Sequence, residues 1–540
     1  MPGTGDIDVY DSRRSTVYAR EGIVATSQPL AAESGIQALR AGGNAFDAAV
    51  TTAAVLNVVE PFSTGIGGDV FALYRTADGD VGALRAMGSG PIDASLDKLR
   101  GAVDGDDRGD TPELPERGPL TVTPPGAARG WERTVDDLGE RSFAAALAPA
   151  IEYAREGFPV TEVIASQWSD WADALHNDHA RELYLPDGDA PDPGEIVRLP
   201  ALADTFERVQ ANGADAMYEG DIGERIVETV RSRGGFLSME DLASVEAEYV
   251  DPISTTYAGA EVFELPAPNQ GPIALEALNV ASEVGAGSYP DGSVEGTHRY
   301  VEAFKRAFHD GHQYVTDPTY ESLPPLTQRE WAAKRAATIG DEASDTVSPR
   351  VPGSDRAEDA DTVLLTVADD EGNVVSFINS IFTAFGSGLA ADGTGVLLQS
   401  RGASFSLDPD HPNRFQSGKL PFHTLVPAVA KFGQDDWAAF GVMGGYMQPQ
   451  GHLQVLSALL DHDASLQEAL DRPRWRYRSD GHLAVEARFD DHLTAKLVRR
   501  GHEVAVEASF EFGGGQIVRA RDGVLSGATD PRKDGSVVGF

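Results

Sequence analysis

Thr362 stands at an abrupt boundary in the chain. Before it, residues 341–361 (DEASDTVSPRVPGSDRAEDAD) are polar, acidic and broken by proline and glycine, the composition of an exposed linker. After it, Thr362 to Ala368 reads as a β-rich apolar strand, 369–373 as a turn and Val374–Ile381 as a second strand. A threonine hydroxyl can attack a carbonyl, but near neutral pH it needs a base within hydrogen-bond reach. The position alone says little, because threonine is favoured in strands. Four short segments that follow in order, three of them containing glycine, add weight: Asn379–Gly388 (NSIFTAFGSG), Gln399–Phe405 (QSRGASF), Leu420–Thr424 (LPFHT) and Gly441–Gly451 (GVMGGYMQPQG).

Other chemistries have less behind them. The chain has no cysteine, which removes disulfides, thiolate metal ligands and a cysteine nucleophile. Its 12 histidines form no H-E-x-x-H or similar cluster, so no metal and no other cofactor is expected. No G-x-S-x-G motif precedes a helix, which argues against a Ser-His-Asp hydrolase.

Charge bounds the partners. There are 85 acidic against 44 basic residues, a net charge of −41 at pH 7, and only seven of the basic residues are lysine. The acids are dispersed, with a dense cluster at 103–117 (VDGDDRGDTPELPER). Such a surface suits a halophilic protein, since in very high salt the Debye length falls to about 3 Å and self-repulsion is screened. An ordinary acidic enzyme is the alternative reading. Either way, nucleic acids and anionic membranes are not expected as partners. No apolar run approaches the length of a membrane span. Arg13 and Arg14 are followed by the mixed stretch STVYARE instead of the apolar core of an export signal, so a cytoplasmic location is expected.

The elements that must position these residues can be outlined. Residues 1–20 read as a loose polar arm. Pro29–Leu39 has helical spacing and is closed by Gly42-Gly43-Asn44. Ala45–Val59 is predicted as a second helix, apolar on all sides and therefore buried. Pro61 stops it, and Gly65–Asp69 leads into a strand over Val70–Tyr74. A loop rich in Pro, Gly and Asp spans about 101–127, and helices dominate to about 235. Strands and turns are expected near 249–272 and 512–528, with a long helix at 295–311 between them. The length permits two or three domains, or one large α/β unit.

Together with Gly42–Ala49 (GGNAFDAA), Glu60–Gly68 (EPFSTGIGG) and the terminal Gly527–Arg532 (GATDPR), the four segments resemble the gamma-glutamyltransferase (gamma-glutamyltranspeptidase) family. The resemblance runs from about Gly22 to Phe540 with the motifs in order. It implies an N-terminal-nucleophile hydrolase of the α/β (α+β) class, a four-layer αββα sandwich made as an inactive precursor and cut autocatalytically. Thr362 matches the family's nucleophile, so the cut would fall between Asp361 and Thr362. That gives a large chain 1–361, ending in the linker, and a small chain 362–540, folded together as one unit. In the precursor the Thr362 nitrogen is an amide. Cleavage turns it into an α-amino group titrating at about 7.7–8, so base and nucleophile appear on one residue. Gly444 and Gly445 match the family's oxyanion hole, and Ser380 matches a hydroxyl that hydrogen-bonds the nucleophile. The implied partners are a small acyl-amide substrate, gamma-glutamyl or dicarboxylic, and the two processed chains themselves. Homo-oligomerisation stays open.

The chain departs from the glutathione-cleaving members where they grip substrate. They begin the small chain with Thr-Thr-His, where this chain has Thr362-Val363-Leu364. Their α-carboxylate is held by an arginine in an Arg-Glu-x-Ala-Pro motif and by two serines. Here Arg85–Pro91 (RAMGSGP) stands near the first, with Arg85 a residue or more out of register, and His423-Thr424 stands at the serine pair. Their amine-binding aspartate falls in a stretch matched by Ser400–Phe405 (SRGASF), which has no acid and gains Arg401. The stretch between Phe405 and Pro421 is also shorter than theirs, which carries a lid. Arg401, with His423, Thr424 and Arg85 as further candidates, is expected to bind a substrate carboxylate. The main expectation is cleavage or transfer of gamma-glutamyl or related acyl groups. Glutaryl-type or oxamate-type hydrolysis without transfer is the first alternative, and an unprocessed, catalytically dead binding or structural homologue the second.

Overall fold

The hairpin that begins at Thr362 shows why the molecule is layered. Val363–Asp369 pairs antiparallel with Val374–Ser380, Val363 lying opposite Asn379. Every residue of both strands is buried, so both faces need cover. Alternate side chains point to opposite faces. Leu364, Ala368, Val374 and Ile378 join a core shared with a second sheet, whereas Val363, Leu365, Val367, Val375 and Phe377 join a core shared with helices. The computed structural model describes residues 14–103, 112–344 and 362–540.

The hairpin sits inside a seven-stranded antiparallel sheet. From edge to edge its strands are Ser536–Gly539, Gly22–Thr26, Val363–Asp369, Val374–Ser380, Asp69–Arg75, Val81–Ala86 and Ala247–Val250. The second sheet, also antiparallel and seven-stranded, runs Val17–Ala19, Val524–Thr529, Gly514–Arg521, Asp436–Met443, Ala428–Gly433, Ala260–Glu264 and Ile253–Tyr257. The sheets stack face to face, and the Ser376 hydroxyl donates to the Phe440 carbonyl between them (3.0 Å). Helices Pro29–Arg40, Ala45–Val59 and Phe143–Glu156 pack on the outer face of the first sheet; Gly271–Glu283, Val294–Tyr314 and Met447–Leu460 pack on the second. This is the four-layer αββα sandwich.

Local sequence accounts for the elements nearest the site. Helix Ala45–Val59 is buried along its whole length, and a reciprocal capping box of Asn44 and Asp47 fixes its start. Of the expected loose arm, residues 1–13 lie outside the described residues, and Val17 to Ala19 form a paired edge strand opposite Leu525–Gly527. The long helix runs Val294–Tyr314, three residues past its expected end. Residues 104–111 of the acidic cluster, and 345–361 of the linker with Asp361, lie outside the described residues. Among the described residues, no helix is long and apolar enough to cross a membrane.

The terminal GATDPR segment proves to be an anchor. Asp530 is fully buried and accepts hydrogen bonds from Arg474 Nη2 (2.6 Å), the Gly515 N–H (2.7 Å), the Arg532 N–H (2.9 Å) and Arg532 Nη1 (3.0 Å). Burial pushes its carboxyl up, but Arg474, Arg532 and the backbone donors outweigh it and hold the group below its ordinary 3.8. A depressed native value stabilises the fold above the unfolded value of about 3.9 and is lost as pH falls through the native one. Asp530→Asn should therefore cost about 3–5 kcal/mol at neutral pH. In denaturant titrations that deficit should shrink below about pH 4; an equal deficit at both pH values would contradict this role.

Candidate active site

The strand register places Thr362, the expected nucleophile. Continuing the ladder from Val363 opposite Asn379 sets Thr362 opposite Ser380, and Ser380 in turn pairs with Asp69. Three adjacent strands thus end at one level with Thr362, Ser380 and Asp69, each buried. Thr362 Oγ1 donates to Ser380 Oγ at 3.2 Å, and Ser380 Oγ also accepts the Phe382 N–H at 2.9 Å. Ser380 can therefore orient the threonine hydroxyl.

The second sheet brings the glycine pair to the same end. Leu364, two residues after Thr362, lies so close to Gly441 that a Cβ there would stand 2.9 Å from Leu364 Cδ2. Three residues later come Gly444 (φ 113°) and Gly445 (φ 51°), both in the half of backbone space that side chains disfavour. Such turns bend successive N–H groups into a concave anion-binding arrangement. Helix Met447–Leu460 begins directly after them, so its positive end adds to the same field.

Arg401 closes the group. It is fully buried, its guanidinium carbon lies 4.0 Å from the centre of the Phe382 ring, and Nη1 donates to Thr424 Oγ1 at 3.1 Å. Its Nε and Nη2 have no hydrogen-bond partner among the described residues. Burial lowers its pKa to about 9, against the pull of Asp69 and then Tyr446. Gln270 ties this corner to the glycine turn, donating to the carbonyls of Thr424 (2.5 Å) and Gly445 (3.1 Å). Phe382 holds φ at 82°, a strained value for an aromatic residue, beside both Ser380 and Arg401.

Two other candidates are committed elsewhere. The Leu425 N–H donates to His423 Nδ1 (3.2 Å), so the ring proton is on Nε2, facing Asp69 Oδ2 at 3.1 Å. With both nitrogens engaged and the ring fully buried against Phe71, His423 has nothing left for a substrate carboxylate. Arg85 forms an ion pair with Glu248 across neighbouring strands (2.8 Å) and approaches the Ala267 carbonyl (3.4 Å). It is thus an inter-strand bridge. Thr424 is in place through its bond to Arg401.

Three participants escaped the sequence reading: Asp69, Gln270 and Phe382. The signal for Asp69 was an acid opening a strand that is otherwise almost wholly buried, a placement that demands partners. An open cleft of about 760 Å³ between Tyr300, Arg474 and Phe489 contains none of the candidate residues. One trio of potential metal ligands stands out among the described residues, His298, Glu302 and His502, but Glu302 is paired with Lys305 (2.9 Å) and Arg306.

Comparison with known proteins gives concordant results. A family model described as gamma-glutamyltranspeptidase matches residues 31–540. The chain is 34% identical to the "glutathione hydrolase-like YwrD proenzyme" of Bacillus subtilis, covering 97% of this chain and 99% of the relative. It is 35% identical to the "oxamate amidohydrolase proenzyme" of Klebsiella pneumoniae, covering 97% and 100%. The crystal structure of a cephalosporin acylase from Bacillus halodurans superposes with a TM-score of 0.89 at 39% identity, covering 100% of this chain and 99% of that one.

The geometry makes His423 a titration test. Burial, then the charges of Arg401 and Arg85, hold its pKa well below 6.5, so the ring is neutral at every pH above that lowered value. Imidazole nitrogen NMR should show a neutral Nε2–H tautomer from about pH 8 down to about pH 5. A ring that titrates near pH 6.5 would contradict the assignment.

Proposed function

The chain belongs to the gamma-glutamyltranspeptidase family of N-terminal-nucleophile hydrolases, and from that membership we propose that it cuts itself between Asp361 and Thr362 and then hydrolyses amides of acyl groups that carry a carboxylate but no α-amine. The observation that carries the substrate reading is Arg401, a buried guanidinium with three N–H groups on Nε and Nη2 not engaged by the described residues. Charge-assisted hydrogen bonds to a carboxylate suit such a group. Asp69, the acid acting on Arg401, is already held by Gln399, Gly126 and His423, so it is not free to receive a substrate ammonium. The names of the oxamate amidohydrolase and cephalosporin acylase relatives are in keeping with this class.

Catalysis follows from the chain's own groups. In the first cut, Thr362 Oγ attacks the Asp361 carbonyl carbon, the C–N bond breaks as the acyl group shifts to oxygen, and water hydrolyses the ester. The freed α-amine then accepts the proton of the same residue's hydroxyl as Oγ attacks a substrate amide. Ser380 orients that hydroxyl, and the N–H groups of the Gly444–Gly445 turn stabilise the oxyanion, one such donor being worth roughly 2.7–4 kcal/mol. The ammonium returns its proton to the leaving amine, and water releases the acyl group from Thr362.

A second reading, cleavage or transfer of gamma-glutamyl groups, draws on the family match and on the glutathione hydrolase-like relative. Anilide substrates separate the two: the wild type should turn over a glutaryl anilide faster than its gamma-glutamyl counterpart, and the opposite order would reject the Arg401 reading. Arg401→Met should raise KM for the glutaryl compound roughly 10- to 100-fold, since hydrogen bonds to charged groups contribute about 1.5–3 kcal/mol. A KM unchanged by that substitution would count against it equally. Thr362→Ala should remain a single 540-residue chain without amidase activity. Cleavage of that variant at the same bond would remove the nucleophile assignment.

A further inference from the structure

Asp69 takes no part in the mechanism above, yet it lies opposite Ser380 in the sheet and is completely buried. The register sets it two strands from Thr362, about 10 Å at normal strand spacing. Its neighbours reach it from every packed element. Oδ1 accepts from Gln399 Nε2 (2.9 Å) and the Gly126 N–H (3.1 Å), the Gly88 N–H also donates to the carboxylate, and Oδ2 faces His423 Nε2–H. All four donors are uncharged. Behind it, Tyr218 is held neutral by burial, and Arg85 on the adjacent strand is taken by Glu248. Arg401 is the foremost charge acting on Asp69, and Asp69 is the foremost charge acting on Arg401.

Asp69 and Arg401 therefore make one buried pair of opposite charges, with the guanidinium Nε and Nη2 left without a partner among the described residues. A carboxylate bound to Arg401 would leave two anions facing one cation away from water, which is unfavourable unless one anion is neutralised. Protonation of Asp69 is the change the site is prepared for. Desolvation raises it to about 7 against the pull of Arg401 first and then of Gln399, Gly126 and Gly88; engaging Arg401 with a second anion weakens the largest of these pulls.

We propose that Asp69 is the specificity-determining counter-ion of the Arg401 pocket, and that binding of an acyl carboxylate to Arg401 carries one proton from solvent onto the Asp69 carboxylate. On release of the acid, Asp69 returns the proton and again balances Arg401. The inference rests on the proposed role of Arg401. Its consequence is selective: above neutral pH, affinity for carboxylate-bearing acyl groups falls by up to about tenfold per pH unit, because one proton is taken up. Affinity for uncharged acyl groups does not follow.

Infrared difference spectroscopy of the processed wild-type enzyme with carbon-13-labelled glutarate tests this. Binding should produce a protonated carboxylic-acid carbonyl band that is unshifted by the label, and so belongs to the protein. The band should disappear in Asp69→Asn. Alongside it, KM for a glutaryl anilide should climb with pH between about 7 and 8, below the value of about 9 at which Arg401 itself loses its proton, while KM for a butyryl anilide stays level; this comparison in the wild type decides the matter if Asp69→Asn does not fold. Arg401-dependent glutarate binding with no such band and no climb overturns the role of Asp69 and leaves the carboxylate pocket standing. Glutarate binding that is equally tight in Arg401→Met overturns the pocket, and this inference with it.

Discussion

An inner strand of a sheet is fixed by neighbours on both sides, and the residue at its mouth takes its place from them. Thr362 is in that position. Its strand lies between Gly22–Thr26 and Val374–Ser380, and it is itself only 1% exposed. A free α-amine at such a point is most readily made by assembling the sheet first and cutting afterwards. The topology agrees: both sheets interleave strands from before residue 344 with strands from after 362, so neither part could complete a sheet alone. This interleaving is what folding as one chain before the proposed cut would produce.

The same constraint places the remaining groups. Because their strands are fixed by ladders, the backbones of Ser380 and Asp69 are held at the level of Thr362, and residues outside the strands then fix their side chains. The second sheet contributes only its end, where the chain leaves Met443 through two glycines and enters a helix. Arg401 is held by a strained Phe382, by Thr424 and, through Gln270, by the glycine turn. A buried cation pinned from three directions costs stability, and such a cost is the usual mark of a site built for a ligand.

Much of this was legible in the sequence because it is local. The hairpin showed its period and its turn, and helix Ala45–Val59 showed an apolar circumference with a cap. Ser380 and the glycine pair were singled out through ordered motifs. What stayed hidden depends on partners far along the chain. Asp69 read as the lead into a strand until His423, 354 residues away, was seen to face it. For the same reason His423 resembled a substrate ligand, although both ring nitrogens are spent inside the protein. Arg85 was read by proximity to a motif, whereas its charge is matched by Glu248 on the next strand. The GATDPR ending marked the family, but its Asp530 and Arg532 work as a buried anchor.

The central claim is that Thr362 becomes a chain terminus inside the folded protein. N-terminal sequencing of the fragments of the purified, natively folded enzyme tests it most directly. The shorter fragment, 179 residues long, should begin Thr-Val-Leu, and the two fragments should stay together until denatured. A single uncut chain, or a short fragment beginning at any other residue, would contradict the account.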